Sequence, residues 1–360
     1  MRIVIDLTSL SYHLSGIERY ALCITLALLK IDHKNSYILI FRDEVYESFK
    51  ELIDDKRVFA KVLNGNNKLL FNQVILPYNL YKIKADKYLF LAFANPTLFR
   101  KKGIISILHD MGAFDFSKND SLLKKIYFKT GCYAAAFNSE QILTVSNFSK
   151  NRICKILHIP QEKVHVVYSA VASSLTSSNA DVAEVKLKYK LPEKYIMTLS
   201  TLEPRKNIEL LLKAFTDVQD KVDYDLVLVG RKGWQIEDVL KKYDSKHRIH
   251  ITGFVDDEDV ACIYKNAMCF VFPTLYEGFG LPPIEALSLG TPVISSNAAS
   301  MPEVLREQAV FFKSNDKQEL SRILLNLQKD VGSMPHELDD FQKKNYQFEE
   351  SARRILDILR

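Results

Sequence analysis

Two glutamates frame a glycine turn and a proline pair in FPTLYEGFGLPPIEALSLGTPVISS, which begins at Phe272. Glu277 precedes Gly278-Phe279-Gly280, and Glu285 follows Pro282 and Pro283, eight positions further on. The apolar run MCFVF before them reads as a strand. The prolines suit the first turn of a helix, where the leading N–H groups have no intrahelical partner. Such a helix start, close to glycines, leaves amides free to hold an anion. Two carboxylates beside a phosphate are costly unless they accept hydrogen bonds from hydroxyls, as on a sugar or a ribose. The alternative is an ordinary strand–turn–helix with solvated glutamates.

Arg205 and Lys206 follow Pro204, just before a helix expected from Asn207. A bidentate guanidinium and an ammonium there suit a diphosphate and would neutralise the charge of a departing phosphate. As plain surface cations they would oppose the helix dipole. In the first half, LSGIERY carries Gly16, which permits close backbone approach to a phosphate or sugar. His109 and Asp110 end the apolar run IISIL, at a strand's carboxyl end. Two D-x-D strings occur, Asp223/Asp225 and Asp257/Asp259. Asp225 leads a buried strand, and DDED from Asp256 opens a helix where acidic residues are the default. We expect no metal. GRKG is not a dinucleotide fingerprint, so no cofactor is expected either. No Ser-His-Asp or P-loop pattern is present.

The elements that must position these residues alternate between strand and helix, twice over. RIVID, YILIF, KYLFL, IISIL, ILTVS and VHVVY are short apolar runs in the first half; YIMTLS, DLVLV, IHITG, MCFVF and PVISS are those of the second. GIERYALCITLALLK, from Gly16, is amphipathic. Strands spaced by helices imply parallel α/β sheets, which bind ligands beyond the strands' carboxyl ends. The Ser- and Ala-rich stretch 172–185 lacks periodicity and reads as a linker. It separates a domain over 1–171 from one over 186–345. The last segment, 346–360, is an amphipathic helix.

A chain of 360 residues exceeds what one core usually serves. With 47% hydrophobic and 26% charged residues it is globular, not disordered or collagenous. No uncharged apolar run approaches the ~20 residues of a membrane span. Asp6 comes too early for a signal peptide, so a cytoplasmic protein is expected. Five cysteines without a CxxC pair read as reduced thiols. Charge is uneven: residues 1–170 hold 24 Lys and Arg against 15 Asp and Glu, and 171–360 hold 25 against 29. Residues 61–130 alone hold 12 against 4. That stretch is either a solvated face or a surface for phosphate or anionic lipid, with Lys124, Lys125 and Lys129 on a helix beside Leu122, Leu123, Ile126 and Tyr127.

Taken together, the glutamate pair around GFGLP, STLEPRKNIELLLKAF, LVLVGRKGW, ITGFVDDEDVACIY, VSNFSKNRI and the terminal YQFEESARRILDIL resemble glycosyltransferase family 4 over nearly the whole chain. The resemblance implies a GT-B fold: two Rossmann-like domains facing each other across a cleft, with the last helix returning to the first. It implies a retaining, metal-independent transfer of a hexose from a nucleotide-diphosphate sugar to a glycan or lipid-linked oligosaccharide, with no nucleic acid involved. A front-face mechanism would follow, the departing phosphate oxygen taking the acceptor's proton. TLEPRKN and GRKGW look most like mannosyl- and rhamnosyltransferases, which favours GDP-mannose. By this resemblance Glu277 contacts the sugar, Arg205 and Lys206 the diphosphate, and Glu285 the ribose. The amides of Gly278, Phe279, Gly280 and Leu281 line the sugar-phosphate pocket, and Arg231, Phe254 and Val255 approach the base. His109 contacts the sugar, while Asp110, Gly16 and Ile17 lie on the acceptor side. Family members often carry two glycines where this chain has Ser15-Gly16. Another GT-B enzyme, an epimerase or a glycogen-synthase-like polymerase, and a non-catalytic glycan-binding partner are the alternatives.

Overall fold

The computed structural model describes residues 1–11, 14–116, 122–177, 180–200, 203–230, 242–243 and 248–360. The chain divides into two units, Met1–Ala170 with Asn345–Arg360, and Val171–Lys344. Each is built on one parallel sheet.

In the first unit the strands are β1 (Arg2–Asp6), β2 (Ser36–Arg42), β3 (Val58–Leu63), β4 (Lys87–Phe90), β5 (Ile104–Ile107), β6 (Gln141–Thr144) and β7 (Val164–Val166), ordered β3-β2-β1-β4-β5-β6-β7. Ile3, Val4 and Ile5 are consecutive and all buried, as expected for a parallel strand covered on both faces. Helix α1 (Gly16–Ile31) opens on a capping box: Glu18 N–H donates to Ser15 Oγ, and Ser15 N–H donates back to the Glu18 carboxylate at 2.7 Å. The strand order reverses between β1 and β4. Three contiguous helical segments, Lys68–Leu70, the π turn Phe71–Ile75 and α2 (Leu76–Lys82), connect β3 to β4. Pro77, lacking an N–H, sits where the π turn gives way to α2. Helices α3 (Leu122–Asn138) and α4 (Asn147–Leu157) follow β5 and β6. The terminal helix Phe348–Leu359 packs on α1, with Lys30 and Glu349 paired at 2.9 Å. Ser351 Oγ donates to the Tyr168 carbonyl at 2.7 Å, which fixes where that helix begins.

In the second unit, β8 (Tyr195–Leu199), β9 (Asp225–Val229), β10 (Ile249–Gly253), β11 (Cys269–Phe272), β12 (Val293–Ser296) and β13 (Val310–Phe312) lie in the order β10-β9-β8-β11-β12-β13. Here the order reverses between β8 and β11. Residues 172–185, expected to be an aperiodic linker, hold a helical turn, Ser173–Thr176, and the start of α5 (Val182–Tyr189). Helix α6 (Ile208–Val218) buries Ile208, Leu211, Leu212, Phe215 and Val218, the spacing of one helical face. Each such side chain contributes roughly 1.5–3 kcal/mol of burial. Both the turn and α5 pack on α7 (Asp257–Lys265), and Lys188 on α5 bridges Asp256 and Asp259, each at 2.7 Å. Acidic residues at a helix start and a lysine from a neighbour hold that segment in place. Helices α8 (Leu281–Ser288) and α9 (Lys317–Asp330) follow β11 and β13.

Two strands escape the sequence reading. β3 is an edge strand with Phe59 and Val62 exposed and Lys61 between them, so its apolar residues do not mark a buried run. Lysine on an edge is a common guard against pairing with another chain. β13 has three residues, too few for a periodic signal.

The carboxyl end of β9 leaves no room for a side chain. At Gly230 (φ +130°) a Cβ would lie 2.1 Å from the Ser200 carbonyl oxygen, whereas at Gly253 (φ +74°) it would meet nothing within 4 Å. Gly253→Ala should therefore cost about 1 kcal/mol for its left-handed backbone. Gly230→Ala should cost at least about twice that, since backbone must move as well. Urea unfolding of the two variants checks this, and equal losses would contradict it.

Candidate functional site

Beyond β8 the chain makes a tight turn, Pro204–Lys206, and Asn207 enters α6 with a left-handed φ of 55° that asparagine tolerates. The loop after β11, the neighbouring strand, grips this turn: Leu275 N–H donates to the Arg205 carbonyl at 2.8 Å. Strand order reverses between these two strands, the place where parallel α/β sheets hold ligands. There the two loops bring together charges 71 residues apart. Lys206 Nζ lies 2.5 Å from Glu277 Oε1, and Arg205 lies 3.4 Å from Glu277 Oε2. Thr274 Oγ1 also donates to Glu277 Oε1, at 3.0 Å.

Glu277 is only 7% exposed. Burial alone would raise its carboxyl pKa, but the charges of Lys206 and Arg205, with hydrogen bonds from Lys206 and Thr274, hold it below the ordinary glutamate value. The carboxylate is therefore ionised at neutral pH and can only accept hydrogen bonds. Arg205 also faces Glu203 at 3.4 Å, a more exposed and better screened partner.

Gly278, Phe279 and Gly280 are buried in the turn that follows. Ser300 Oγ donates to the Glu277 carbonyl at 3.0 Å and pins the turn. Gly280 adopts φ +87° immediately before Leu281, the first residue of α8, and a Cβ there would strike the Met301 methyl at 2.4 Å. Glu285, one turn along α8, is half-buried and accepts from Tyr264 OH at 3.3 Å. After β10, Phe254 is 49% exposed while Val255 is buried. Arg231 lies outside the described residues. Arg205, Lys206 and Glu277 thus form one bonded cluster, with the glycine turn continuous with it; Glu285 is held separately. The reading missed Thr274, Ser300 and Tyr264, hydroxyl residues whose roles appear only through partners distant in sequence.

Three of the D-x-D carboxylates pair with cations. Asp225 accepts from Arg248 at 2.8 Å and His250 at 2.7 Å, Asp223 pairs with Lys194, and Asp259 pairs with Lys188. Among the described residues no group of three metal-type ligands occurs.

In the first unit, His109 follows β5 and donates from Nε2 to the Leu91 carbonyl at 3.2 Å, just past β4. A carbonyl can only accept, so the proton is on Nε2 and Nδ1 keeps its lone pair. Tyr20 of α1 meets the ring edge-on at 5.0 Å. Burial pushes the imidazole down to about 4, so it is neutral. Asp110 turns its carboxylate onto Gly112 N–H at 2.8 Å, closing the loop. Gly16 is the exposed first residue of α1, where a Cβ would meet nothing within 4 Å. Its freedom is therefore not demanded by the fold. Ile17 beside it is half-buried.

His109 gives stability a pH dependence. The unfolded chain takes up a proton below the ordinary value of 6.5, which the folded chain refuses until about 4. Stability should fall by up to about 1.4 kcal/mol per pH unit across that window as pH drops. His109→Gln cannot titrate and should flatten this slope. Urea unfolding at several pH values measures it, and identical slopes in both proteins would contradict the assignment.

Residues 181–347 match the family described as glycosyl transferases group 1. The O-antigen chain mannosyltransferase B of Escherichia coli is 29% identical, over 92% of this chain and 91% of that one. The serotype-specific mannosyltransferase WbdA of Escherichia coli is 32% identical over 52% of this chain, which covers 24% of WbdA. The solved structure of Anabaena HepE in complex with UDP and glucose aligns with a TM-score of 0.73 at 16% identity, covering 100% of this chain and 99% of that one. The group 1 match falls in the second unit, and with a parallel sheet in each unit the chain has the GT-B fold.

Proposed function

We propose that this chain is a retaining, metal-independent hexosyltransferase of glycosyltransferase family 4. It transfers mannose from GDP-mannose to a hydroxyl of a lipid-linked surface polysaccharide, acting in the cytoplasm. The observation that carries the reading is the clamp of Arg205 and Lys206 on the buried Glu277, where strand order reverses. The mannosyltransferase relatives favour the sugar and the polysaccharide.

In this reading the diphosphate lies against Arg205 and Lys206 and the amides at the start of α8. The bond between the sugar's C1 and the phosphate oxygen breaks, and the nucleoside diphosphate leaves with the electron pair. The two cations stabilise that charge, which is greatest at the transition state. The acceptor oxygen bonds to C1 on the same face, and its proton passes to the departing phosphate oxygen. Glu277 accepts hydrogen bonds from sugar hydroxyls and Glu285 from the ribose. Phe254 and Val255 border the base. His109, being neutral, offers Nδ1 to a hydroxyl without adding charge, and Asp110, Gly16 and Ile17 serve the acceptor. No step needs a metal, which accords with Asp225 and Asp259 already being paired with cations.

The test is GDP release from GDP-mannose in excess EDTA, with wild type and Arg205→Ala. Wild type should keep its activity, and the variant should lose at least about 10²-fold, the scale for one preorganised charge-stabilising donor. Near-wild-type release by the variant with saturating donor would overturn the clamp. Activity lost to EDTA and restored by Mg²⁺ would overturn the metal-free mechanism.

A further inference from the structure

On one side of the first unit, the helical run Lys68–Lys82 lies beside α3. Asn72 Nδ2 donates to Tyr127 OH at 3.3 Å. The loop 93–100 bridges them: Thr97 N–H donates to Gln73 Oε1 at 3.0 Å, and Asn138 Nδ2 donates to the Thr97 carbonyl at 3.2 Å. The outward side of this layer is apolar. Leu69, Leu70, Val74 and Tyr78 on the run, Leu98 in the loop, and Ile126 and Phe137 on α3 are all at least half exposed. Phe137 reaches 81% and Leu98 67%, values at which a large side chain finds almost no cover from its own fold. Ile126 thus faces outward rather than into the core.

The same layer ends in a pocket of about 830 Å³, lined among others by Arg100, Lys102, Tyr133, Phe137 and Asn138. It sits at the amino ends of β5 and β6, the opposite edge of the sheet from His109. Lys101 is turned away, donating to the Ile83 carbonyl and Tyr88 OH, both at 2.9 Å. Glu140, the pocket's carboxylate, is paired with Lys87 at 3.2 Å and accepts from Gly103 N–H at 2.8 Å. Arg100 and Lys102 are exposed and set the pocket's charge.

We propose that this layer docks on an anionic phospholipid bilayer. Phe137 and Leu98 enter the interface, and the Arg100–Lys102 pocket takes a headgroup phosphate. Apolar side chains ringed by cations match such a surface, where each cation strengthens attachment and each buried apolar group anchors it. Arg100 and Lys102 at the pocket, and Lys82 exposed against the Tyr78 ring, give this face cations that complement an anionic bilayer. The same cations on a second copy would repel them, which favours the bilayer over self-association as the occupant. Among the described residues no helix is long and apolar enough to cross a membrane, so attachment is peripheral. The proposal goes beyond the transferase reading and does not rest on it.

Co-sedimentation with phosphatidylcholine vesicles, with and without phosphatidylglycerol, tests it. The wild type should sediment only when phosphatidylglycerol is present. Arg100→Gln/Lys102→Gln should weaken that binding about thirtyfold at low salt, with an unchanged melting temperature. Leu98→Ser/Phe137→Ser should weaken it as well, and should do so at high salt too. Failure of the wild type to bind would overturn the proposal, as would equal binding by the glutamine variant. A lipid-free, concentration-dependent dimer that Phe137→Ser abolishes would assign the face to a second copy instead.

Discussion

A carboxylate removed from water must have its charge answered, and at Glu277 the answer comes from a different loop. Burial disfavours the ion, yet Lys206 in contact and Arg205 beside it more than compensate. This requirement ties the turn after β8 to the loop after β11, and so fixes the one place in the second sheet where strand order reverses. The rest of the site is arranged around it. Thr274 bonds the carboxylate, Ser300 pins the backbone, and Gly280 turns the chain into α8 without a side chain in the way. The pair is nearly enclosed, while Arg205 stays partly exposed between Glu203 and Glu277.

The second unit manages its other carboxylates by the same rule, with a different outcome. Asp225 joins Arg248 and His250 at the strand edge, and Asp259 joins Lys188 and Tyr189 at a helix start. These pairs are part-buried, with the Asp225 side chain 21% and the Asp259 side chain 13% exposed. They bind neighbouring elements together and offer no vacant oxygen cluster. The first unit uses burial the opposite way: His109 has no charged partner in its hydrogen bonds and is held neutral. One unit therefore answers buried charge with ion pairs, and the other avoids charge by keeping its buried ring neutral.

Much of this was legible in the sequence because buried parallel strands are short uninterrupted apolar runs. Ile3-Val4-Ile5 and Leu226-Val227-Leu228 announce themselves. Strand β3 did not, because an edge strand leaves Phe59 and Val62 in water, and β13 is too short to show a period. Residues 172–185 looked like a linker because α5 owes its place to Lys188 meeting a distant helix start, not to an apolar stripe of its own. At the site, residue types were readable but partners were not. Glycines, prolines and charges next to a strand end flag Glu277, Arg205 and Lys206. Nothing local says that these three touch across 71 residues, or that Thr274 and Ser300 hold them. The basic stretch was visible as composition, while its exposed face emerged only once Leu98 and Phe137 were placed.

The central claim is that Glu277 is charged because Lys206 is there. A double-mutant cycle on unfolding free energy, with Lys206→Met, Glu277→Gln and both together, measures that dependence. Lys206→Met should cost about 3–5 kcal/mol by stranding a buried carboxylate, and adding Glu277→Gln should recover most of the loss. Additive losses would mean that the two charges do not depend on each other, and the account of the site would fail.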